Sequence, residues 1–193
     1  IDTALEAYGH FVVFGQFEGR PGAPDVGGTV GEIFTLTPGV DNLPGTSGND
    51  TYIGEANSTA NSSLSAADTI NGGAGTDTAE LFLTGANGAI RSSNVEVFQI
   101  QASGGARTFT ATNVADAEEI WSNGSTSTLT IDNVQNNVTL GLGKTNAALD
   151  VNFKAGVIGA AETLKIASDA SGTAAASVNV TVNDGGAASK FTT

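Results

Sequence analysis

The chain has 193 residues, and twenty Asp and Glu against seven Lys and Arg give it a formal net charge of −13. This balance disfavours nucleic-acid binding, which needs a basic patch, and it also disfavours binding to anionic membrane surfaces. The chain contains no cysteine, which excludes a disulfide framework and any Cys-based zinc or redox site. The acidity fits the binding of divalent cations and fits equally well a simple role in solubility. The length suits one medium domain, but 26 glycines and only 6% aromatic residues favour a narrow core.

The first twenty residues differ from the rest of the chain. Leu5, Tyr8, Phe11 and Val12 recur at steps of three and four, which predicts an amphipathic helix over residues 1–20, interpreted as the end of an upstream module. Glycine and proline then predict a linker over residues 21–31. The sequence shows neither a signal peptide nor an apolar run long enough to cross a membrane, so we expect any secretion signal to lie outside it.

Residues 32–193 show a strand pattern. Apolar residues stand at the centres of short alternating segments, separated by Gly, Asn, Asp and Ser. The predicted strands cover residues 33–37, 79–83, 95–100, 108–110, 119–121, 129–131, 138–140, 149–151, 164–166 and 178–182, with a loop over 38–50. The successive centres Phe98, Phe109, Ile120, Ile131, Leu140 and Val151 lie 11, 11, 11, 9 and 11 residues apart.

Two all-β folds are compatible with this spacing. A β-sandwich has strands at similar intervals, but it usually needs larger inward residues and tight hairpin turns such as Asn-Gly. A β-solenoid of stacked short parallel strands needs only one or two inward residues per strand, and a coil of about 22 residues suits it. The sequence therefore favours the solenoid, and the sandwich remains the alternative.

The strongest local motif covers residues 72–80, Gly-Gly-Ala-Gly-Thr-Asp-Thr-Ala-Glu. It matches the nonapeptide G-G-x-G-x-D-x-U-x of calcium-binding β-rolls, and residues 45–53 form a weaker copy with Thr46 at the second glycine. The glycines permit a tight loop whose carbonyls converge, and the aspartate adds a charged oxygen. Ca²⁺ prefers six to eight oxygen ligands, so one loop needs a second loop one coil away.

The spacing of the aspartates supports such a pair of loops. Asp50 and Asp77 are separated by 27 positions in the chain, whereas two nonapeptides would give 18. The excess of nine matches the polar segment 57–66, which we expect to be an exposed insertion. Asp41 and Asp68 each stand nine residues before the corresponding loop aspartate, which places an Asp one half-coil earlier in both cases.

These segments carry a family resemblance. Residues 34–51, 68–77 and 93–98 resemble a bacterial surface-layer calcium-binding domain, and residues 10–20 resemble a helical module found upstream in type I-secreted RTX-type proteins. The resemblance implies export without a cleaved signal, ordering by calcium outside the cell, and lateral assembly. It also implies the ligands, which are Asp50 and Asp77, carbonyls near Gly45, Gly48, Gly73 and Gly75, and as second choices Asp41 and Asp68. Thr46 and Ala79 depart from the family pattern.

We therefore expect a structural protein at the bacterial cell surface, a calcium-ordered subunit of a surface layer or filament. Its expected partners are copies of itself, with cell-surface polysaccharide as a further candidate, and neither nucleic acid nor membrane insertion is expected. An adhesin or stalk module is the first alternative, and a β-helix polysaccharide-active enzyme is the second. The enzyme is disfavoured because His10 is the only histidine and the basic residues are scattered. Trp121 could stack on sugars, although a solenoid cap or subunit contact is the preferred interpretation.

Overall fold

The computed structural model describes residues 30–145, 147–158, 163–169 and 180–183. The chain divides into two units, Ile1–Val30 and Gly31–Thr193, and the described residues belong almost entirely to the second. The helix predicted over residues 1–20 and nearly all of the linker predicted over 21–31 lie outside the described residues.

The second unit is an all-β solenoid. Its strands are β1 (Ile33–Thr35), β2 (Asn42–Pro44), β3 (Thr51–Ala56), β4 (Thr69–Asn71), β5 (Thr78–Leu83), β6 (Gly88–Ala89), β7 (Arg91–Ser93), β8 (Val97–Ala102), β9 (Arg107–Thr110), β10 (Glu119–Asn123), β11 (Leu129–Val134), β12 (Thr139–Gly143), β13 (Leu149–Phe153), β14 (Lys165–Asp169) and β15 (Val180–Asn183). They form a seven-stranded long sheet in the order β1-β3-β5-β8-β10-β12-β14, a five-stranded second sheet in the order β15-β13-β11-β9-β6, and a three-stranded third sheet in the order β2-β4-β7.

Strand pairing decides between the two predicted folds. Every strand pair in the described part of the chain is parallel, whereas a sandwich of the immunoglobulin kind is antiparallel. The seven strands of the long sheet mark about six turns. The solenoid prediction is therefore confirmed, and the sandwich alternative is excluded.

The coils differ in length. Between β1 and β3, register partners in the long sheet are separated by 18 positions in the chain. In the following coils the separations are 27, 19, 22, 20 and 26 positions. The first coil thus has the length of two nonapeptides, and the second is nine residues longer. The extra length falls in residues 57–68 between β3 and β4, where the insertion was predicted, and only Leu64 of the predicted segment is buried there.

The core is a narrow column of stacked apolar side chains. In the long sheet, Phe98 pairs with Ile120 and Ile120 with Leu140. In the second sheet, the equivalent column is Phe109, Ile131 and Val151. All six are fully buried, and they are the six predicted strand centres. Successive centres therefore alternate between two sheets, because each coil contributes one inward residue to each column.

The third sheet differs from the prediction. Residues 38–50 were expected to form one loop, but Asn42–Pro44 is a strand that pairs with Thr69–Asn71. Each of these strands has three residues and one inward apolar side chain, Leu43 or Ile70. A single inward residue shows no alternation, so the pattern that identifies longer strands is absent from the sequence here.

Candidate metal centre

Acidic residues occupy the position immediately before the long-sheet strand in five successive coils, namely Glu32, Asp50, Asp77, Glu96 and Glu118, and hydrogen bonds link the first four. The amide of Glu32 donates to Asp50 Oδ1 at 2.7 Å, the amide of Asp50 donates to Asp77 Oδ1 at 2.6 Å, and the amide of Asp77 donates to Glu96 Oε2 at 2.8 Å. We call these four linked residues the acidic ladder. The carboxylates of Asp50, Asp77 and Glu96 each accept a backbone N–H of the preceding coil, so the ladder fixes these coils to one another.

Asp50 is buried and its carboxylate is well satisfied. Besides the amide of Glu32, it accepts the Thr46 amide at 2.6 Å and the Thr46 hydroxyl at 2.9 Å. Burial alone raises the pKa of Asp50, but these hydrogen bonds outweigh burial, and the pKa of Asp50 is lowered overall. The structure therefore explains why threonine replaces the motif glycine at position 46: the Thr46 hydroxyl donates a hydrogen bond to the Asp50 carboxylate.

Asp77 is also buried, but its carboxylate is only half satisfied. Oδ1 accepts the amide of Asp50, whereas Oδ2 has no hydrogen-bond partner. Burial raises the pKa of Asp77, the Asp50 amide offsets part of this, and the negative charges of Asp50 and Glu96 raise it again. A buried carboxylate oxygen without a partner is costly unless it gains a proton or a cation. Asp77 is therefore the residue of the site that a positive ion would stabilise most.

Two glycines bring other oxygens up to these carboxylates. A Cβ on Gly45 would lie 2.2 Å from the carbonyl oxygen of Gly72 and 2.6 Å from Asp50 Oδ2. A Cβ on Gly72 would lie 1.8 Å from the carbonyl oxygen of Asn94 and 2.3 Å from Asp77 Oδ2. Any larger residue at either position would displace backbone. In each loop, the missing side chain lets a ladder carboxylate and a backbone carbonyl approach the same point.

Tyr52 joins the site and was missed from the sequence. Its hydroxyl donates to the carbonyl of Asn71 at 2.8 Å and would lie 2.5 Å from a Cβ on Gly45. Burial raises the pKa of Tyr52, and the charges of Asp50 and Asp77 raise it further, so the phenol stays protonated. The only sequence signal was that Tyr52 stands two residues after the loop aspartate Asp50. The second residue of a strand that begins directly after this aspartate points inward.

The remaining predicted glycines show how the two loops stack. Gly48 donates its amide to the Thr46 hydroxyl at 3.0 Å, and its carbonyl oxygen would lie 2.7 Å from a Cβ on Gly75. The carbonyl oxygen of Thr46 would lie 2.1 Å from a Cβ on Gly73. Gly73 and Gly75 have φ of 93° and 130°, which favours glycine. The structure thus brings the two predicted loops into direct contact, one coil apart.

Asp41 and Asp68 form a separate pair beside the third sheet. The amide of Asp41 donates to Asp68 Oδ1 at 3.1 Å, and the amide of Ser65 donates to Asp68 Oδ2 at 2.7 Å. The Asp41 carboxylate accepts the amide and the hydroxyl of Thr37 at 2.7 and 3.0 Å. All four carboxylate oxygens therefore hold N–H or O–H groups, in contrast to Asp77.

Comparisons with known proteins returned no relative: no family model matches the chain, and no curated protein or solved structure matches it significantly. Within the described ranges, no helix has the length and apolar character needed to cross a membrane.

The oxygen set suits a hard cation, although the carboxylates alone do not complete a site. Among the residues that the structure describes, no three His, Cys, Asp or Glu side chains form a group that could hold a metal ion. Ca²⁺ readily accepts backbone carbonyls besides carboxylates. The residues that could hold it are Asp50, whose Oδ2 lies near the Gly72 carbonyl, and Asp77, whose Oδ2 lies near the Asn94 carbonyl.

Proposed function

We propose that this chain is a calcium-ordered structural module of a bacterial surface layer or extracellular filament, related to RTX-type proteins. The observation that carries the proposal is the buried Asp77 carboxylate, whose Oδ2 lacks a hydrogen-bond partner and lies near Gly72 and the carbonyl of Asn94.

The argument for calcium is electrostatic. Asp50 and Asp77 are consecutive rungs of the acidic ladder, both buried and linked directly by a hydrogen bond of 2.6 Å from the Asp50 amide. Two ionised carboxylates so placed repel each other, so the cation-free fold must protonate Asp77 or bury an uncompensated charge. A bound Ca²⁺ supplies the compensating charge. Because the two loops meet only in the folded coils, binding energy becomes folding energy.

The structural role is supported by the end of the stack. β1 pairs only with β3 in the described part of the chain, and Ile33 in β1 and Val40 after it are 72% and 75% exposed. An open strand edge can pair with a further strand. We propose that a second copy of this chain extends the stack there, which would make copies of itself its principal partner.

The test combines folding and assembly. Thermal unfolding followed by circular dichroism, and sedimentation, are measured with excess CaCl₂ and with excess EGTA. We expect calcium to raise the melting temperature and to produce reversible large assemblies. A calcium-stabilised protein that stays monomeric would favour a stalk or adhesin module instead. If chelation changes neither stability nor assembly, the calcium proposal fails.

A further inference from the structure

The outer surface of the long sheet carries a flat area of aromatic, amide and acidic side chains. It consists of Glu80 and Phe82 from β5, Gln99 and Gln101 from β8, and Trp121 and Asn123 from β10. We call it the Trp121 face. Glu80 pairs with Gln99 and Gln99 with Trp121, so these three form one outward row across three coils. All of the residues except Trp121 line a shallow groove, together with Thr78.

The indole of Trp121 lies flat on the sheet. A Cβ on its register partner Gly141 would lie only 1.9 to 2.5 Å from three ring atoms, so the ring covers this glycine. Gly141 is buried although it stands in the outward row, because the indole covers it. The indole N–H donates to Glu119 Oε2 at 2.7 Å and fixes the ring edge. One ring face is therefore occupied by the sheet, and the exposed part of this half-buried side chain is the other face.

The polar groups beside the indole are held in place but retain free hydrogen-bonding atoms. Asn123 Nδ2 donates to Gln99 Oε1 at 3.0 Å, and Gln101 Nε2 donates to the carbonyl of Gly124 at 2.8 Å. Gln99 Nε2, Gln101 Oε1 and the Glu80 carboxylate make no hydrogen bond to any described residue. The face thus offers a fixed amide donor, Gln99 Nε2, a fixed amide acceptor, Gln101 Oε1, and the Glu80 carboxylate next to an aromatic platform.

We propose that the Trp121 face binds a neutral polysaccharide. The electron-rich face of an indole attracts the slightly positive C–H groups of a sugar ring. Sugar hydroxyls both donate and accept, so they match the Gln99 amide and the Glu80 carboxylate. Glu80 and Glu119 lie on or beside the face and no cation lies among its six residues, which disfavours anionic glycans.

The arrangement also suits a chain rather than a single sugar. Phe82 on β5 and Trp121 on β10 stand two strands apart in the long sheet, so their backbones lie about 10 Å apart along the solenoid axis. They belong to neighbouring outward rows, and the indole extends further, over Gly141 on β12. An extended saccharide that crosses the strands obliquely would contact both rings and the amides between them. This inference does not depend on calcium, because none of the six residues belongs to the acidic ladder.

The chain contains one tryptophan, so its intrinsic fluorescence reports directly on this face. The full chain is titrated with soluble neutral β-glucan, α-glucan, mannan and galactan, and affinity electrophoresis in the same polymers gives a second readout. We expect a saturable fluorescence change with at least one polymer. Trp121→Ala should weaken electrophoretic binding about tenfold or more.

Two further variants separate positioning from folding. Gly141→Ala keeps the tryptophan but lifts the indole off the sheet, so binding should fall while the circular dichroism spectrum stays solenoid-like. Arg91→Ala, in the third sheet, is the matched surface control and should bind as the unaltered chain does.

The inference is overturned if no neutral polymer gives a saturable change, or if Trp121→Ala binds as tightly as the unaltered chain. Equal binding of polygalacturonate would overturn the choice of a neutral ligand. The titrations are repeated with CaCl₂ and with EGTA. If the stability of the chain does not depend on calcium but the polysaccharide still binds, only the proposed function fails. If calcium stabilises the fold but no polysaccharide binds, only this inference fails.

Discussion

Replacing Asp77 by asparagine tests the central electrostatic argument, because it removes the buried charge and keeps the shape. The new side chain retains an oxygen for the Asp50 amide, which now donates to Oδ1 at 2.6 Å. The amide nitrogen takes the place of Oδ2, which has no partner, and it would lie beside the carbonyl of Asn94. The substitution therefore trades an unpartnered charge for a neutral donor near an acceptor.

The expected effect has opposite signs with and without calcium. In EGTA at neutral pH, relief of the buried charge should stabilise the fold by about 1–2 kcal/mol. For a domain of this size that corresponds to a rise in melting temperature of roughly 2–8 °C. With calcium at a hundredfold excess over its dissociation constant, the unaltered chain should gain about 2.7 kcal/mol. Asp77→Asn should lose most of that gain.

Asp68→Asn is the matched control, because Asp68 is equally buried but both of its oxygens accept backbone N–H groups. An amide there would point its own N–H₂ at the amide of Asp41 or Ser65 and should destabilise the fold by about 1–3 kcal/mol. Melting curves in EGTA and in CaCl₂ compare the two variants. The reasoning is refuted if Asp77→Asn destabilises the calcium-free chain as Asp68→Asn does, or if its calcium response is unchanged.

Three other predictions follow from the described contacts. Phe98→Ala leaves a cavity in the core column and should lower the free energy of unfolding, measured in urea, by about 3–5 kcal/mol. A decrease under about 1 kcal/mol would contradict a tightly packed column. Gly72→Ala places a Cβ 1.8 Å from the carbonyl oxygen of Asn94 and should lower the melting temperature strongly; Gly39→Ala, with 3.6 Å to its nearest atom, is the control and should change it little. Because burial raises the pKa of Asp77, its contribution is favourable below its unfolded pKa and is lost as pH rises through the folded one. Stability measured in EGTA should show this loss toward neutral pH, and Asp77→Asn should not show it.

The solenoid could be predicted because its inward residues recur at nearly regular steps. Phe98, Phe109, Ile120 and Ile131 follow one another at 11-residue intervals, and the structure places alternate members in two columns. The third sheet was not predictable in the same way, since Leu43 is the single inward residue of a three-residue strand.

Two of the four residues of the acidic ladder were predicted from the sequence. Asp50 and Asp77 were selected from their glycine loops, but the expectation was that they point to a metal, whereas in the structure they also accept backbone amides of the preceding coil. A signal was available: Glu32 and Glu96 stand directly before long-sheet strands, as do the two aspartates.

The contact of Trp121 with Gly141 could not have been found from the sequence. The two residues are 20 positions apart, and they meet only because the coil between them has that length. Coil lengths in the long sheet vary from 18 to 27 positions, so no fixed period identifies which residue lies beneath which.

The parallel pairing of each strand with the one a coil away has a consequence for how the chain acquires its structure. Since partners in the long sheet are separated by only 18 to 27 positions, closing each loop costs little entropy, and contacts between distant parts of the sequence are not needed. A finished coil offers the next segment a ready template of amides and carbonyls. Folding can thus advance coil by coil from one end of the stack. A disruptive substitution in one coil would stop folding at that coil and leave the coils already folded intact.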